Sequence, residues 1–187
     1  MDWTNIKAAS IDIIVDDEKL THELESIPLE FWDSGIDNSS NTYWNSIWLT
    51  ENSKEIFRDF KTAKLIQHSE WTWRKDLNLT YIKSLVESLP IRTVGMIRGF
   101  ILEGPLVMHV DSNETTPKEL TFNLGLTISS RLDQPMQMDS DILIEEKYVF
   151  FNDSIKHGFP TATGKQISIR IFGDFDYDAF NINKVYK

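Results

Sequence analysis

Two periodicities alternate in the first half of the chain, and one of them takes over in the second. "SIDIIVD" (Ser10 to Asp16) is rich in β-branched residues and bounded by charge, which predicts a strand. "DEKLTHELESI" after it predicts a short helix started by Asp16 or Asp17, with His22 a surface or helix-end residue. The segment from Phe31 to Tyr43 contains Gly35 and the "DNSSN" cluster and predicts a loop, while "YWNSIWLT" (Tyr43 to Thr50) predicts a strand. Ser53 is placed to cap a helix running to about Phe60. "HSEWTWRK" puts His68 beside Trp71 and Trp73, an aromatic strand that suits a core better than a substrate pocket. Ile82, Leu85, Val86 and Leu89 follow i, i+3, i+4, i+7 spacing, so "NLTYIKSLVESLP" predicts an amphipathic helix stopped by Pro90 and packed on a sheet.

From Ile91 onward helix signals nearly vanish. Strand-like runs recur at "TVGMIRGFIL", "LVMHVDS", "LTFNLGLTISS", "QPMQM", "DILIEEKYVFF" and "KQISIRIFGDF", separated by Gly, Pro and Asp turns. The expected class is mainly β with N-terminal helices, a β-sandwich or β-barrel decorated by the first ninety residues. In "KQISIRIFG", alternation puts Ile167, Ile169 and Ile171 on one face and Gln166, Ser168 and Arg170 on the other. One face belongs to a core, so the other carries an Arg and a Ser toward solvent or into a cavity.

Composition narrows the function. The 187 residues suit one domain, and no apolar run is long enough to cross a bilayer, so a membrane role is not expected. A formal charge of -10 without any basic run works against nucleic acid as a partner. Long-range attraction favours a neutral or cationic substrate, such as a peptide or amino acid. There is no cysteine, so any metal must use nitrogen and oxygen ligands. The start "MDWTNIKAAS" lacks the basic and apolar regions of a signal peptide, and a cytoplasmic address is expected.

The candidate chemistry begins at "LVMHVDSN", where His109 and Asp111 share one face of an extended strand and can reach one ion. H-x-D alone is a weak signal. It gains weight from order: a second histidine, His157, follows a later strand, and Arg170 lies on the strand after that. Two His and one carboxylate leave open positions on a metal, as in non-haem Fe(II) oxygenases, and an Arg beside a hydroxyl can clamp a carboxylate.

Two stretches, "MIRGFILEGPLVMHVDS" (Met96 to Ser112) and "FFNDSIKHGFPTATGKQISIRIFGDFD" (Phe150 to Asp176), resemble the Fe(II)/2-oxoglutarate-dependent oxygenases, and within them the aspartyl/asparaginyl β-hydroxylase-like proteins. The resemblance implies a double-stranded β-helix (jelly-roll, cupin-like) core over residues 91–180, with 1–90 as an α/β support region of one oxygenase domain. It makes His109, Asp111 and His157 the Fe(II) ligands. It also implies that Arg170, together with Ser168, holds the distal carboxylate of 2-oxoglutarate, and that Arg98 and, as the weaker candidate, Asn123 face cosubstrate or substrate. The implied reaction uses O2 to hydroxylate an amino-acid side chain, peptide or other small molecule, with decarboxylation of 2-oxoglutarate to succinate. The β-hydroxylases that name the subgroup lack the carboxylate ligand, so the presence of Asp111 keeps their particular substrate from carrying over; it also argues against a halogenase. Two rival expectations remain: a cupin-like metal enzyme that does not use 2-oxoglutarate, and a non-catalytic β-sandwich binding module. Oligomeric state has no sequence signal.

Overall fold

The computed structural model describes residues 3–37, 42–52, 71–110 and 124–187, and the structural statements below concern these. The helix expected after Ser53, His68, Asp111 and Asn123 lie outside the described residues. The elements in order are β1 (Ala8–Asp12), α1 (Asp17–Glu25), β2 (Asp33–Asp37), β3 (Thr42–Trp48), β4 (Thr50–Asn52), β5 (Trp71–Trp73) and α2 (Thr80–Ser88). They continue with β6 (Ile91–Glu103), β7 (Leu106–His109), β8 (Gly125–Arg131), β9 (Met136–Met138), β10 (Ile142–Ile144), β11 (Tyr148–Phe151), β12 (His157–Phe159), β13 (Lys165–Phe175) and β14 (Asn181–Tyr186). The protein is mainly β with antiparallel sheets, as its second half implies.

An eight-stranded sheet has the order β14-β1-β11-β8-β13-β6-β3-β2, and a four-stranded sheet the order β10-β9-β12-β7. β4 and β5 form a separate pair. From β6 onward the chain shuttles between the two large sheets: β6, β8, β11 and β13 belong to the first, β7, β9, β10 and β12 to the second. Gly104, at φ 90°, makes the turn that takes β6 into β7, a conformation only glycine adopts without strain.

The two faces of the eight-stranded sheet have different neighbours. On one face, Leu20 and Leu24 of α1 and Ile82, Leu85 and Val86 of α2 join Ile47, Ile97, Ile128, Ile167, Ile169 and Ile171 in the main core. Each helix presents its apolar positions at helical spacing to the alternate residues of the strands, so both periodicities bury the same interface. On the other face, Phe151, Val149 and Ala8 pack with Met136, Met138 and Ile144 of the smaller sheet. The helix ends are capped as their sequences allow. Asp16 accepts from Lys19 N at 3.1 Å at the start of α1. The N-cap residue of α2 is Leu79, which has no capping side chain, and Glu23 of α1 substitutes by accepting from Tyr81 N at 2.8 Å and Ile82 N at 2.6 Å.

Two local expectations are corrected, and one further strand is added. Phe31 to Tyr43 contains strand β2, whose polar "DSGID" is held extended by pairing with β3. Gly35 lets the Trp44 indole lie across β2, since a Cβ there would stand 2.4 Å from Trp44 Cε2. "DILIEEKYVFF" is two strands in different sheets, with the charged Glu145–Lys147 stretch crossing between them. β14, in a stretch for which the sequence pattern assigns no element, pairs with β1 and forms one edge of the eight-stranded sheet. Among the described residues, no helix is long and apolar enough to cross a membrane.

Candidate functional site

Alternation along β13 decides what enters the space between the sheets. With Ile167, Ile169 and Ile171 committed to the helix side, Gln166, Ser168, Arg170 and Phe172 face the smaller sheet and line a cavity of about 490 Å³. That size is typical of small-ligand sites. Registers with neighbouring strands extend the lining into a grid. Arg170 is paired with Arg98 and Thr127, and Ser168 with Phe100 and Ser129; Gln166 is paired with Leu102. On the far side of β6, Ser46 is opposite Phe100 and Trp44 opposite Leu102. The smaller sheet supplies Leu106 and His109 from β7, Met136 from β9, and His157 and Phe159 from β12.

Five residues singled out in the sequence therefore meet in one cavity: His109, His157, Arg98, Ser168 and Arg170. His109 and His157 are cross-strand partners, with ring centres 4.6 Å apart. His109 Nδ1 lies 2.9 Å from Val107 O and His157 Nδ1 2.8 Å from Ile155 O. A carbonyl oxygen only accepts, so each Nδ1 carries a proton, and in the neutral ring that leaves the lone pair on Nε2. This carbonyl-anchored arrangement is the habit of metal-ligating histidines. Two imidazoles bound cis to one ion with bonds of about 2.1 Å have ring centres roughly 4.5 Å apart, close to the observed separation. The pair thus fits two nitrogen ligands of one metal. Among the described residues no three His, Asp or Glu side chains form a metal-holding group, and Asp111 lies outside them.

The two arginines stand directly opposite each other, an arrangement that repels unless the charges are drawn apart or neutralised. They are drawn apart. Arg98 Nη2 donates to Ser46 Oγ at 2.6 Å, and its guanidinium lies over Trp48 at 4.8 Å. Arg170 turns the other way, donating from Nη1 to Thr127 Oγ1 at 2.9 Å and from Nη2 to Phe151 O at 3.0 Å. Its guanidinium carbon is 3.4 Å from the centre of the Phe151 ring, which in turn contacts His157 at 4.8 Å between ring centres. Arg170 is 6 % exposed. Gly125 makes room for it, because a Cβ at that position would stand 2.7 Å from Arg170 Nε.

The described part of the lining holds two arginines and no Asp or Glu, so these residues together present positive charge that complements an anion. This local charge opposes the overall -10 of the chain. The sequence analysis did not single out Trp44, Ser46, Thr127 or Gly125 as site residues. Ser46 and Trp44 come from the first ninety residues, and the signal that marks them is the period-2 alternation of "YWNSIW", whose Ile47 faces the helices. No family model matches the chain, and no curated protein matches it.

Proposed function

We propose that this protein is an Fe(II)/2-oxoglutarate-dependent oxygenase whose strands β6 to β13 wind as a double-stranded β-helix. The observation that carries the proposal is the meeting of His109, His157 and Arg170 in one cavity, from three strands spread over more than sixty residues. Eight strands shared four and four between two sheets, with the chain changing sheet at every step except β9 to β10, support the jelly-roll assignment. His109 and His157, with Asp111, are assigned to Fe(II). When bound together, Fe(II) and 2-oxoglutarate supply the activation of O2 needed to hydroxylate an unactivated C–H bond.

The protein's own residues bind, orient and exclude water. The Nδ1–H anchors fix both imidazoles in the tautomer that presents Nε2. Arg170 holds the distal carboxylate of 2-oxoglutarate by charge-assisted hydrogen bonds; Thr127, Phe151 and the stacked Phe151 ring fix the plane of its guanidinium beforehand. Ser168, on the same face one step along β13, adds a hydroxyl to that subsite. Phe151 and Phe172 shield the ion pair from water and so strengthen it. Arg98, turned toward Ser46 and Trp48, faces the remaining space, where the small-molecule or peptide substrate lies.

The test is a thermal melt of metal-stripped protein, alone, with Mn(II), and with Mn(II) plus 2-oxoglutarate, since ligands that bind only the folded state raise its stability. The expected result is a rise that requires both additives and is lost in His157→Ala. A rise with Mn(II) alone assigns the cavity to metal chemistry without 2-oxoglutarate. The absence of any rise overturns the proposal and leaves a binding module.

A further inference from the structure

Gln166 is 4 % exposed, lines the cavity, and has no hydrogen-bond partner among the described residues at either Nε2 or Oε1. Buried amides of this kind are rare because each unsatisfied polar atom destabilises the fold. An amide has a donor and an acceptor side by side, so its natural complement is another amide edge. The residue stands apart from the proposed reaction centre. It lies four residues from Arg170 along β13, roughly 13 Å between Cα atoms in an extended strand. Its neighbours there are apolar: Leu102 is paired with it, Trp44 is opposite Leu102, and Leu106 follows Leu102 through the Gly104 turn. Phe159 is opposite Leu106 across the smaller sheet. The cavity thus has a cationic, histidine-bearing end and an apolar end with one polar reader.

We infer that this apolar end is a substrate subsite in which Gln166 donates to the carbonyl and accepts from the N–H of an amide edge on a small molecule. The substrate class is then a compound with an apolar body bearing a carboxamide or lactam, bound with its far end under the two histidines. This inference rests on the oxygenase proposal for the location of the reacting end, but the subsite itself does not.

The experiment compares benzamide with acetophenone, in which a methyl group replaces the NH2 at nearly the same size and the N–H is lost, by ligand-observed NMR titration of protein with Mn(II) and 2-oxoglutarate. Benzamide is expected to bind at least about tenfold more tightly to the wild type, and Gln166→Met to reduce the difference to about twofold or less. Removing an unsatisfied amide should also raise the ligand-free melting temperature of Gln166→Met by about 2–4 °C, which guards against a variant that merely fails to fold. Equal binding of the two probes to the wild type, or a preference that survives in Gln166→Met, overturns the inference. So does loss of the Mn(II) plus 2-oxoglutarate melting shift in Gln166→Met, which would place the residue in the cosubstrate site. Gln166-dependent binding of N-acetylalanine methylamide that is tighter than that of benzamide overturns the small-molecule source in favour of a peptide. An amide preference in a protein that shows no shift with Mn(II) and 2-oxoglutarate supports the subsite and refutes the oxygenase proposal.

Discussion

Gly125→Ala tests the position of Arg170 without touching its charge. A Cβ at residue 125 would stand 2.7 Å from Arg170 Nε, 2.9 Å from Arg170 Cζ and 2.8 Å from Phe172 Cε1. Ordinary contacts begin near 3.4 Å, so the guanidinium or its neighbours must retreat by about 0.7 Å. The guanidinium has little slack, with hydrogen bonds of 2.9 Å to Thr127 and 3.0 Å to Phe151 and a ring 3.4 Å away. A movement of that size weakens at least one of the two bonds. Overpacking of this kind costs about 1–3 kcal/mol of stability. The misplaced anchor should lower 2-oxoglutarate affinity by about 10- to 100-fold, the scale on which an ångström of misplacement acts. Calorimetric titration of 2-oxoglutarate into Mn(II)-loaded wild type and variant measures the second effect, and denaturant unfolding the first. A variant that loses stability but binds 2-oxoglutarate within twofold of the wild type refutes the role of Arg170. One unchanged in both shows that the cavity wall yields without moving the guanidinium.

Two further predictions concern the scaffold. Glu23→Gln keeps the shape but removes the charge, and its amide can accept at one oxygen where the carboxylate accepts at two, so α2 loses one backbone hydrogen bond and a favourable anion at its N-terminus. The expected loss is about 1–2 kcal/mol in denaturant unfolding; an unchanged midpoint would show that water serves the same N–H groups equally well. The second concerns pH. Burial first, then Asp174, pushes the Tyr177 hydroxyl up to about 12. The unfolded chain ionises this group near 10, so it releases the proton before the folded protein does, and stability falls as pH rises from about 10 to about 12. Tyr177→Phe should flatten that part of the melting temperature profile, and an identical alkaline slope in the variant would disprove the contribution. Tyr148, raised to about 12 by burial and by Asp17, acts in the same direction and accounts for a remaining slope.

Local order was legible in the sequence because side-chain alternation needs only a few neighbouring residues. The face of β13 that holds Gln166, Ser168 and Arg170, the helical stripe of Ile82, Leu85 and Val86, and the cap at Asp16 all follow from period and capping chemistry. Where local preference was weak, it misled: "DSGID" has poor strand propensity and is a strand because β3 pairs with it. "DILIEEKYVFF" reads as one strand-like run, and nothing local to it reveals that the chain changes sheets at "EEK".

Tertiary structure alone decided what those faces enclose. The sequence could propose that His109 and His157 belong together, but their pairing is a contact between β7 and β12. It could name Arg98 and Arg170 separately, but only the register of β6 against β13 sets them opposite each other and draws them to different sides of the cavity. Trp44 and Ser46 enter the site because β3 joins the edge of β6. Gln166 becomes notable only when burial removes it from water without supplying a partner. Chemical identity and face are local properties of a chain, whereas pairing, burial and the sign of charge inside a cavity depend on residues far apart in sequence, and folding is what brings them together.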